Sequence, residues 1–241
     1  MRYKKLLNRY NLIGEELDRI IEIYLTDEEK AKLFEFEHFK NLYPYRIKNI
    51  IKLIKDDELK LKLLKDDALM SGMSEFDIVD IVKLLEDDNK MQVLKDENYR
   101  KKYNIEEYDA INIIMTFTNE SKNKLLLHKD FLERELKIRK YGIGKIIASL
   151  EGENEKLKFI KYYELKNNEI EYILTYMEVS SIINFLNVNK QFCREKGINP
   201  YVIMAGIDSK KQLEFISKLD DLEELSIRRK KKDICSNRKR N

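Results

Sequence analysis

Few side chains in this 241-residue chain are of the types that perform catalysis or bind metals: it has two histidines and two cysteines. Glu35 and His38 have the spacing that places a carboxylate and an imidazole on one helix face, as in carboxylate-bridged di-iron bundles. Such a site needs two of these motifs, and Leu125 stands three residues before His128, where an acid is required. We therefore predict no metal, no cofactor and no enzymatic activity.

Phosphate-binding loops are also missing, because the sequence contains neither GxxxxGK[ST] nor GxGxxG. Gly142 and Gly144, in KYGIGKII, form the nearest glycine cluster. We expect these glycines to end one helix and admit the next. Neighbouring aspartates such as Asp56 and Asp57 lack the alternate spacing and central glycine of a calcium loop, and we expect them to cap helices instead.

The composition is typical of helices joined by short polar connections. Charged residues make up 38% of the chain, and it has only seven glycines and two prolines. Cys193 and Cys235 are far apart in sequence, which favours free thiols in a reducing compartment. The longest uncharged apolar run, residues 201–207, is shorter than the roughly 20 residues that a membrane helix needs. We therefore predict an intracellular, cytoplasmic protein, with a nuclear location if the source is eukaryotic or viral.

A pattern of apolar residues recurs along the chain. A doublet is followed by another apolar residue four positions after its first member, and the first members are Ile20, Ile50, Ile81, Ile113, Ile146, Ile182 and Val202. The intervals between these anchors are 30, 31, 32, 33, 36 and 20 residues. A lysine follows most anchors by about ten residues, at Lys30, Lys60, Lys90, Lys122 and Lys156. Two markers therefore share one period, which indicates an internal repeat.

Each repeat is predicted to be a pair of short helices. Apolar residues at i, i+1 and i+4 fit one face of a helix better than the alternation of a strand. Short acidic or amide-rich pieces separate the two markers and would cap the second helix; Thr26 and Glu29, for example, have capping-box spacing. One such pair cannot bury its own apolar stripe, so neighbouring repeats must stack. Most aromatic residues fall on these apolar positions and are predicted to be core, as at Phe34, Phe117, Phe159 and Phe215.

The pattern resembles the α/α helical-repeat proteins of the HEAT, armadillo and tetratricopeptide class. This resemblance implies an all-α fold, a right-handed α-solenoid or superhelical array of about six or seven two-helix repeats of roughly 30 to 36 residues. We predict one helical-repeat domain over residues 1–225, with an N-terminal cap at 1–19 and irregular C-terminal repeats at 182–225. Residues 226–241 are too charged and too poor in apolar side chains to pack, and are predicted to be a disordered tail.

The tail is strongly basic. The last fourteen residues carry a net charge of +7, from eight basic residues and one acid, whereas the rest of the chain carries −4. The basic residues are Arg228, Arg229, Lys230, Lys231, Lys232, Arg238, Lys239 and Arg240. Such a segment suits a nuclear-import signal, an arm for nucleic acid, a clamp on an anionic membrane or acidic protein, or a solubilising terminus.

Two functions fit these features. The first, which we favour, is a non-enzymatic scaffold that binds an unidentified protein or peptide along one face of the array. The second is a nucleic-acid-associated protein that uses the tail and a ladder of repeated lysines, Lys60, Lys90 and Lys156, on phosphates. These lysines also follow acids by three or four residues, so solvated ion pairs worth a few tenths of a kcal/mol are the competing interpretation. Tyr162 and Tyr163 exceed what one buried stripe needs, and we expect at least one of them to face a groove or a partner.

Overall fold

The computed structural model describes residues 15–36, 39 and 42–218. In these residues the fold is all-α and contains no strand, which confirms the predicted class. The chain divides into two compact units, Met1–Thr116, here the N-unit, and Phe117–Asn241, here the C-unit. The basic tail, His38, Cys235 and most of the predicted N-terminal cap lie outside the described residues.

Eighteen helical segments make up the described chain. In the N-unit they are α1 Glu15–Tyr24, α2 Asp27–Leu33, α3 Pro44–Lys52, α4 Asp57–Leu64, α5 Asp67–Met70, α6 Glu75–Val82, α7 Asp87–Lys95, α8 Glu97–Lys102 and α9 Glu107–Met115. In the C-unit they are α10 Asn119–Leu126, a π-helix Phe131–Glu135, α11 Lys140–Ala148, α12 Glu153–Tyr162, α13 Asn167–Leu174, α14 Val179–Val188, α15 Lys190–Lys196, α16 Pro200–Gly206 and α17 Ser209–Ser217.

Consecutive repeats pack through their first helices. In the N-unit α1 packs on α3, α3 on α6, and α6 on α9; in the C-unit α11 packs on α13, and α13 on α16. Some repeats add a short third helix, namely α5, α8, the π-helix or α15, beyond the predicted pair. Asp66 and Asp96 begin two of these helices by accepting hydrogen bonds from backbone N–H groups of the following turn. The repeat is therefore two or three helices long.

The buried anchors of the first helices confirm most of the predicted period. Four of them are fully buried: Ile50, Ile81, Ile113 and Ile146. The sixth anchor was misplaced, because Ile182 lies in α14, the second helix of its repeat, and Ile173 in α13 holds the anchor position. Ile203 follows it in α16, so the last intervals are 27 and 30 residues instead of 36 and 20. Both helices of a pair bury branched apolar doublets, and spacing alone does not distinguish them.

Gly144 and Gly206 let first helices approach closely in the C-unit. Gly142 and Gly144 both lie inside α11 and are buried, so the prediction that they end a helix is wrong. A Cβ atom at Gly144 would lie 3.4 Å from the Cβ of Glu169 in α13. A Cβ atom at Gly206 in α16 would lie 2.6 Å from the Cγ2 of Thr175, which ends α13. Glycine generally allows helices to approach closely because it has no side chain, and here it permits α11, α13 and α16 to pack in one layer.

Candidate functional site

The repeated lysines are buried, at 4–6% exposure. Each lies in the second helix of a repeat, and four of them donate a hydrogen bond from Nζ to a backbone carbonyl in the next repeat. These bonds run from Lys30 to Leu53, Lys90 to Thr116, Lys122 to Ser149 and Lys156 to Tyr176, over 2.7–3.1 Å. The accepting carbonyls stand at the end of the next first helix, where backbone oxygens lack partners in the helix and the helix dipole is negative.

The first residue of the second helix completes this contact from the other side of the same turn. Its side-chain oxygen accepts from backbone N–H groups that precede the next second helix. Asp27 accepts from Lys55 and Asp56, Asp57 from Glu86, Asn119 from Glu151, and Glu153 from Glu178. We call this pair of residues, an acid or amide and the lysine three positions later, the inter-repeat clamp. At Asp27 with Lys30, Asn119 with Lys122 and Glu153 with Lys156, the clamp supplies one turn of the next repeat with both a hydrogen-bond donor and an acceptor.

The clamp gives the predicted lysine ladder a structural role. Lys60 and Lys90 do pair with acids three residues earlier, at 2.8 Å from Asp57 and 3.2 Å from Asp87. The lysine of each pair is buried and the aspartate is partly buried, however, whereas the sequence interpretation placed these pairs in solvent. The ammonium groups of Lys60, Lys90 and Lys156 are thus engaged in hydrogen bonds within the chain.

Tyr162 and Tyr163 have opposite environments. Tyr163 is fully buried, and its hydroxyl donates to the carbonyl of Leu126 over 2.6 Å. Burial raises the pKa of this hydroxyl, and the neighbouring Tyr162 and Glu133 add to the shift. Tyr162 is 44% exposed and meets the Tyr163 ring edge-on, with 5.2 Å between centroids. Only Tyr162 therefore has a ring accessible from solvent.

A set of exposed aromatic residues recurs at one position of the repeat, five residues before the buried anchor. We call it the aromatic register, and its members are Tyr45, Phe76, Tyr108 and Tyr141. Each is the second residue of a first helix and is 52–63% exposed. The intervals of 31, 32 and 33 residues match those of the anchors. Sequence reasoning missed this set because it treated aromatic residues at the repeat period as core, although Phe34, Phe117, Phe159 and Phe215 are indeed buried.

The N-unit carries three members of the register on first helices that pack side by side. Exposed Leu84 and Met115, which follow α6 and end α9, extend the apolar surface. Between α3 and α6, Lys48 lies 2.5 Å from Asp77 and 3.5 Å from Asp80. The hydrogen bond with Asp77 raises the pKa of Lys48 against the opposing effect of burial, so this pair stays charged. The surface is therefore a row of rings crossed by an ion-pair network.

The C-unit carries a cluster of tyrosines on α11, on α13 and in the turn that follows α13. The ring centroids of Tyr141 and Tyr172 are 6.1 Å apart, and those of Tyr172 and Tyr176 are 5.1 Å apart. The Tyr172 hydroxyl lies 3.2 Å from that of Tyr176, and Lys145 Nζ lies 4.8 Å from the Tyr141 ring centroid. Burial raises the pKa of Tyr172, and the two neighbouring tyrosines raise it further. We call these four residues the C-unit tyrosine face.

A cavity of about 110 Å³ lies among α4, α7 and α8 in the N-unit. Its lining residues are Leu61, Leu64, Lys65, Gln92, Val93, Asp96 and Tyr99. Cofactor and drug-like ligands occupy sites of roughly 300–1,000 Å³, so this cavity is too small for them. In residues 15–36, 39 and 42–218, no cluster of three His, Cys, Asp or Glu side chains is arranged to hold a metal ion.

No helix in the part of the chain that the structure describes is long and apolar enough to cross a membrane. Comparison of the chain with protein-family models, with curated proteins and with solved structures found no match. The aromatic register, the tyrosine face and the charge of each unit are the surface features that could bind a partner.

Proposed function

We propose that this protein is a non-enzymatic scaffold that binds a protein or peptide on the first-helix surface of the N-unit. The observation that carries this proposal is the aromatic register, in which Tyr45, Phe76 and Tyr108 are exposed at one position of three consecutive repeats. Each of these three rings is more than half exposed, so most of its surface is open to a partner. Large aromatic side chains supply much of the binding energy at protein interfaces, and repeated positions present them as a row.

We also propose that the repeats form a right-handed α-solenoid. Support comes from within each unit, where consecutive first helices pack and the inter-repeat clamp joins one repeat to the next. Helix pairs of this size are unstable alone and gain a shared core by stacking, so a chain of clamped pairs extends in one direction. Spin labels at positions 45, 76 and 108 test this arrangement within the N-unit: the distance between labels two repeats apart is expected to exceed each single-repeat distance clearly, and an equal distance would contradict it.

Ring removal from the register tests the binding proposal. Peptide ligands are first selected from a displayed random library with the full chain, and their affinities are measured by calorimetry. The variant Tyr45→Ala, Phe76→Ala, Tyr108→Ala is expected to bind at least about a hundredfold more weakly, since truncating a hot-spot residue costs more than about 1 kcal/mol. Its thermal melting should stay close to that of the wild type, because exposed substitutions change stability by less than about 0.5 kcal/mol each.

Tyr24 provides the matched control. It is an exposed tyrosine in α1 of the same unit, outside the register. Tyr24→Ala should leave peptide affinity unchanged. Equal affinities of the wild type and the triple variant, or equal losses in Tyr24→Ala, would contradict the assignment of this surface.

The second candidate function, association with nucleic acid through the basic tail, is favoured by the distribution of charge. The described residues of the N-unit contain 16 basic and 24 acidic side chains, a net charge of −8. Those of the C-unit contain 18 basic and 14 acidic side chains, a net charge of +4. The tail follows the C-unit in sequence and adds to its positive charge. Loss of binding to generic DNA or RNA when Lys230, Lys231 and Lys232 are all changed to Gln would support this function, and unchanged binding would contradict it.

A further inference from the structure

We propose that the C-unit tyrosine face binds single-stranded nucleic acid. The face is a folded surface on α11 and α13, distinct from the basic tail and from the N-unit members of the register. It combines aromatic rings with basic side chains, the two chemical groups that proteins use to hold an unpaired strand.

The tyrosine rings are placed to receive bases. Tyr141 and Tyr176 are each slightly more than half exposed, and Tyr172 lies between them in ring contact with both. The hydroxyl contact between Tyr172 and Tyr176 fixes the relative position of those two rings. Every base has a flat aromatic face, so stacking on tyrosine tolerates any sequence. A base inside a duplex is already stacked on its neighbours, and these rings therefore favour an unpaired strand.

One basic side chain contacts the rings, and two others stand at the N-terminal ends of the same two helices. Lys145 lies over Tyr141, and exposed Arg139 and Lys166 immediately precede α11 and α13. Phosphates of a strand whose bases stack on the tyrosines would meet these cations, and their counterions would be released.

The acids of α13 are turned away from this face. Glu169 and Glu171 are buried, and each accepts a hydrogen bond from a backbone N–H group, that of Lys166 and that of Asn199 respectively. Their charges therefore serve to cap backbone inside the C-unit and do not line the surface. An anionic ligand meets tyrosine hydroxyls and cations there, in agreement with the net charge of +4 of the unit.

Fluorescence anisotropy of the full chain with a dye-labelled twelve-nucleotide dT strand, the matching rU strand and a twelve-base-pair DNA duplex tests the proposal. The wild type is expected to bind at least one single strand more tightly than the duplex, and the DNA and RNA arms identify which nucleic acid is preferred. The variant Tyr141→Ala, Tyr176→Ala is expected to weaken single-strand binding by at least about tenfold, because each stacked base contributes about fivefold or more. The slope of log affinity against log salt concentration, here the salt slope, should stay unchanged, since the rings are uncharged.

Three further variants separate the face from other sources of binding. Lys145→Gln should weaken binding and reduce the salt slope by about one, as expected for a phosphate contact. Tyr162→Ala removes an exposed tyrosine of the same unit outside the face and should change nothing. Tyr176→Phe keeps the ring and should retain most of the affinity lost in Tyr176→Ala.

The experiment also distinguishes this site from the tail and from the N-unit. With Lys230, Lys231 and Lys232 all changed to Gln, single-strand binding weakens but must still depend on Tyr141 and Tyr176. The N-unit triple variant at Tyr45, Phe76 and Tyr108 should bind the strand normally, so the two proposals fail independently. The inference would be overturned by binding that is lost entirely with the tail charges, by ring variants that bind like Tyr162→Ala, or by an acidic peptide that binds equally well with the same dependence on the rings.

Discussion

Replacement of Lys30 with methionine removes half of an inter-repeat clamp and keeps most of the buried side-chain volume. Lys30 is 4% exposed, and its Nζ atom donates to Asp27 over 3.0 Å and to the Leu53 carbonyl over 2.8 Å. Asp27 in turn accepts from the backbone N–H groups of Lys55 and Asp56 over 2.7 and 2.8 Å. One lysine thus connects α2 to the turn between α3 and α4.

The expected loss of stability is about 2–3 kcal/mol. Hydrogen bonds to charged groups contribute about 1.5–3 kcal/mol each, which sets an upper bound for the two that disappear. Asp27 keeps its two backbone donors and is partly solvated, so its charge is not left isolated. The methionine side chain also buries apolar surface without the desolvation cost of an ammonium group. Much of the expected loss of about 2–3 kcal/mol comes from the carbonyl of Leu53, which is left without its hydrogen-bond donor.

Urea unfolding followed by circular dichroism measures the loss in the free energy of unfolding. Hydrogen exchange of the backbone amides shows which residues become less protected. Protection should decrease at the amides of residues 53–56, which the clamp holds. Lys32→Met is the matched control, because Lys32 lies in the same helix and is exposed. A loss of stability in Lys30→Met no larger than that in Lys32→Met, or unchanged hydrogen exchange of residues 53–56, would refute this role of Lys30.

Other outcomes follow from buried groups. Tyr163→Phe removes the hydrogen bond to Leu126 and should cost about 1–2 kcal/mol in urea unfolding, whereas Tyr162→Phe should cost almost nothing; equal losses would contradict the burial of Tyr163. Burial raises the pKa of Asp27, but hydrogen bonds from Lys30 and the backbone outweigh it and hold the pKa below its ordinary value. The ionised carboxylate therefore stabilises the folded state above the pKa that Asp27 has in the unfolded chain, and this stability is lost as the pH falls through the lower pKa of the folded state. The free energy of unfolding of Asp27→Asn, measured in urea at decreasing pH, should therefore fall less steeply in acid than that of the wild type. Burial raises the pKa of the Cys193 thiol to about 11, so maleimide at pH 7 should leave it unmodified in the native chain and modify it in urea, as read by peptide mapping.

The local features of the fold could be predicted from the sequence. The capping box of Thr26 and Glu29 forms as its spacing indicates, and the fully buried anchors Ile50 and Ile81 occupy matching places in successive first helices. Helix period and capping depend on residues three or four positions apart, so a short window of sequence contains the information.

Exposure at the repeat positions could not be predicted in the same way. Tyr108 and Phe117 both recur with the repeat, yet Tyr108 points to solvent and Phe117 is buried. Tyr162 and Tyr163 are adjacent and have opposite surroundings. What covers a side chain is decided by the helices packed on it, which are set by contacts distant in sequence.

The sequence by itself determined that this protein is built of helices with a period of about thirty residues, because hydrophobic spacing and caps are local properties. The tertiary structure decided that Lys30, Lys90 and Lys156 are buried and hydrogen-bonded to the next repeat, since their carbonyl partners lie 20 to 26 residues further along the chain. It also decided which aromatic residues remain exposed, because only the packing of one repeat on the next removes the others from water.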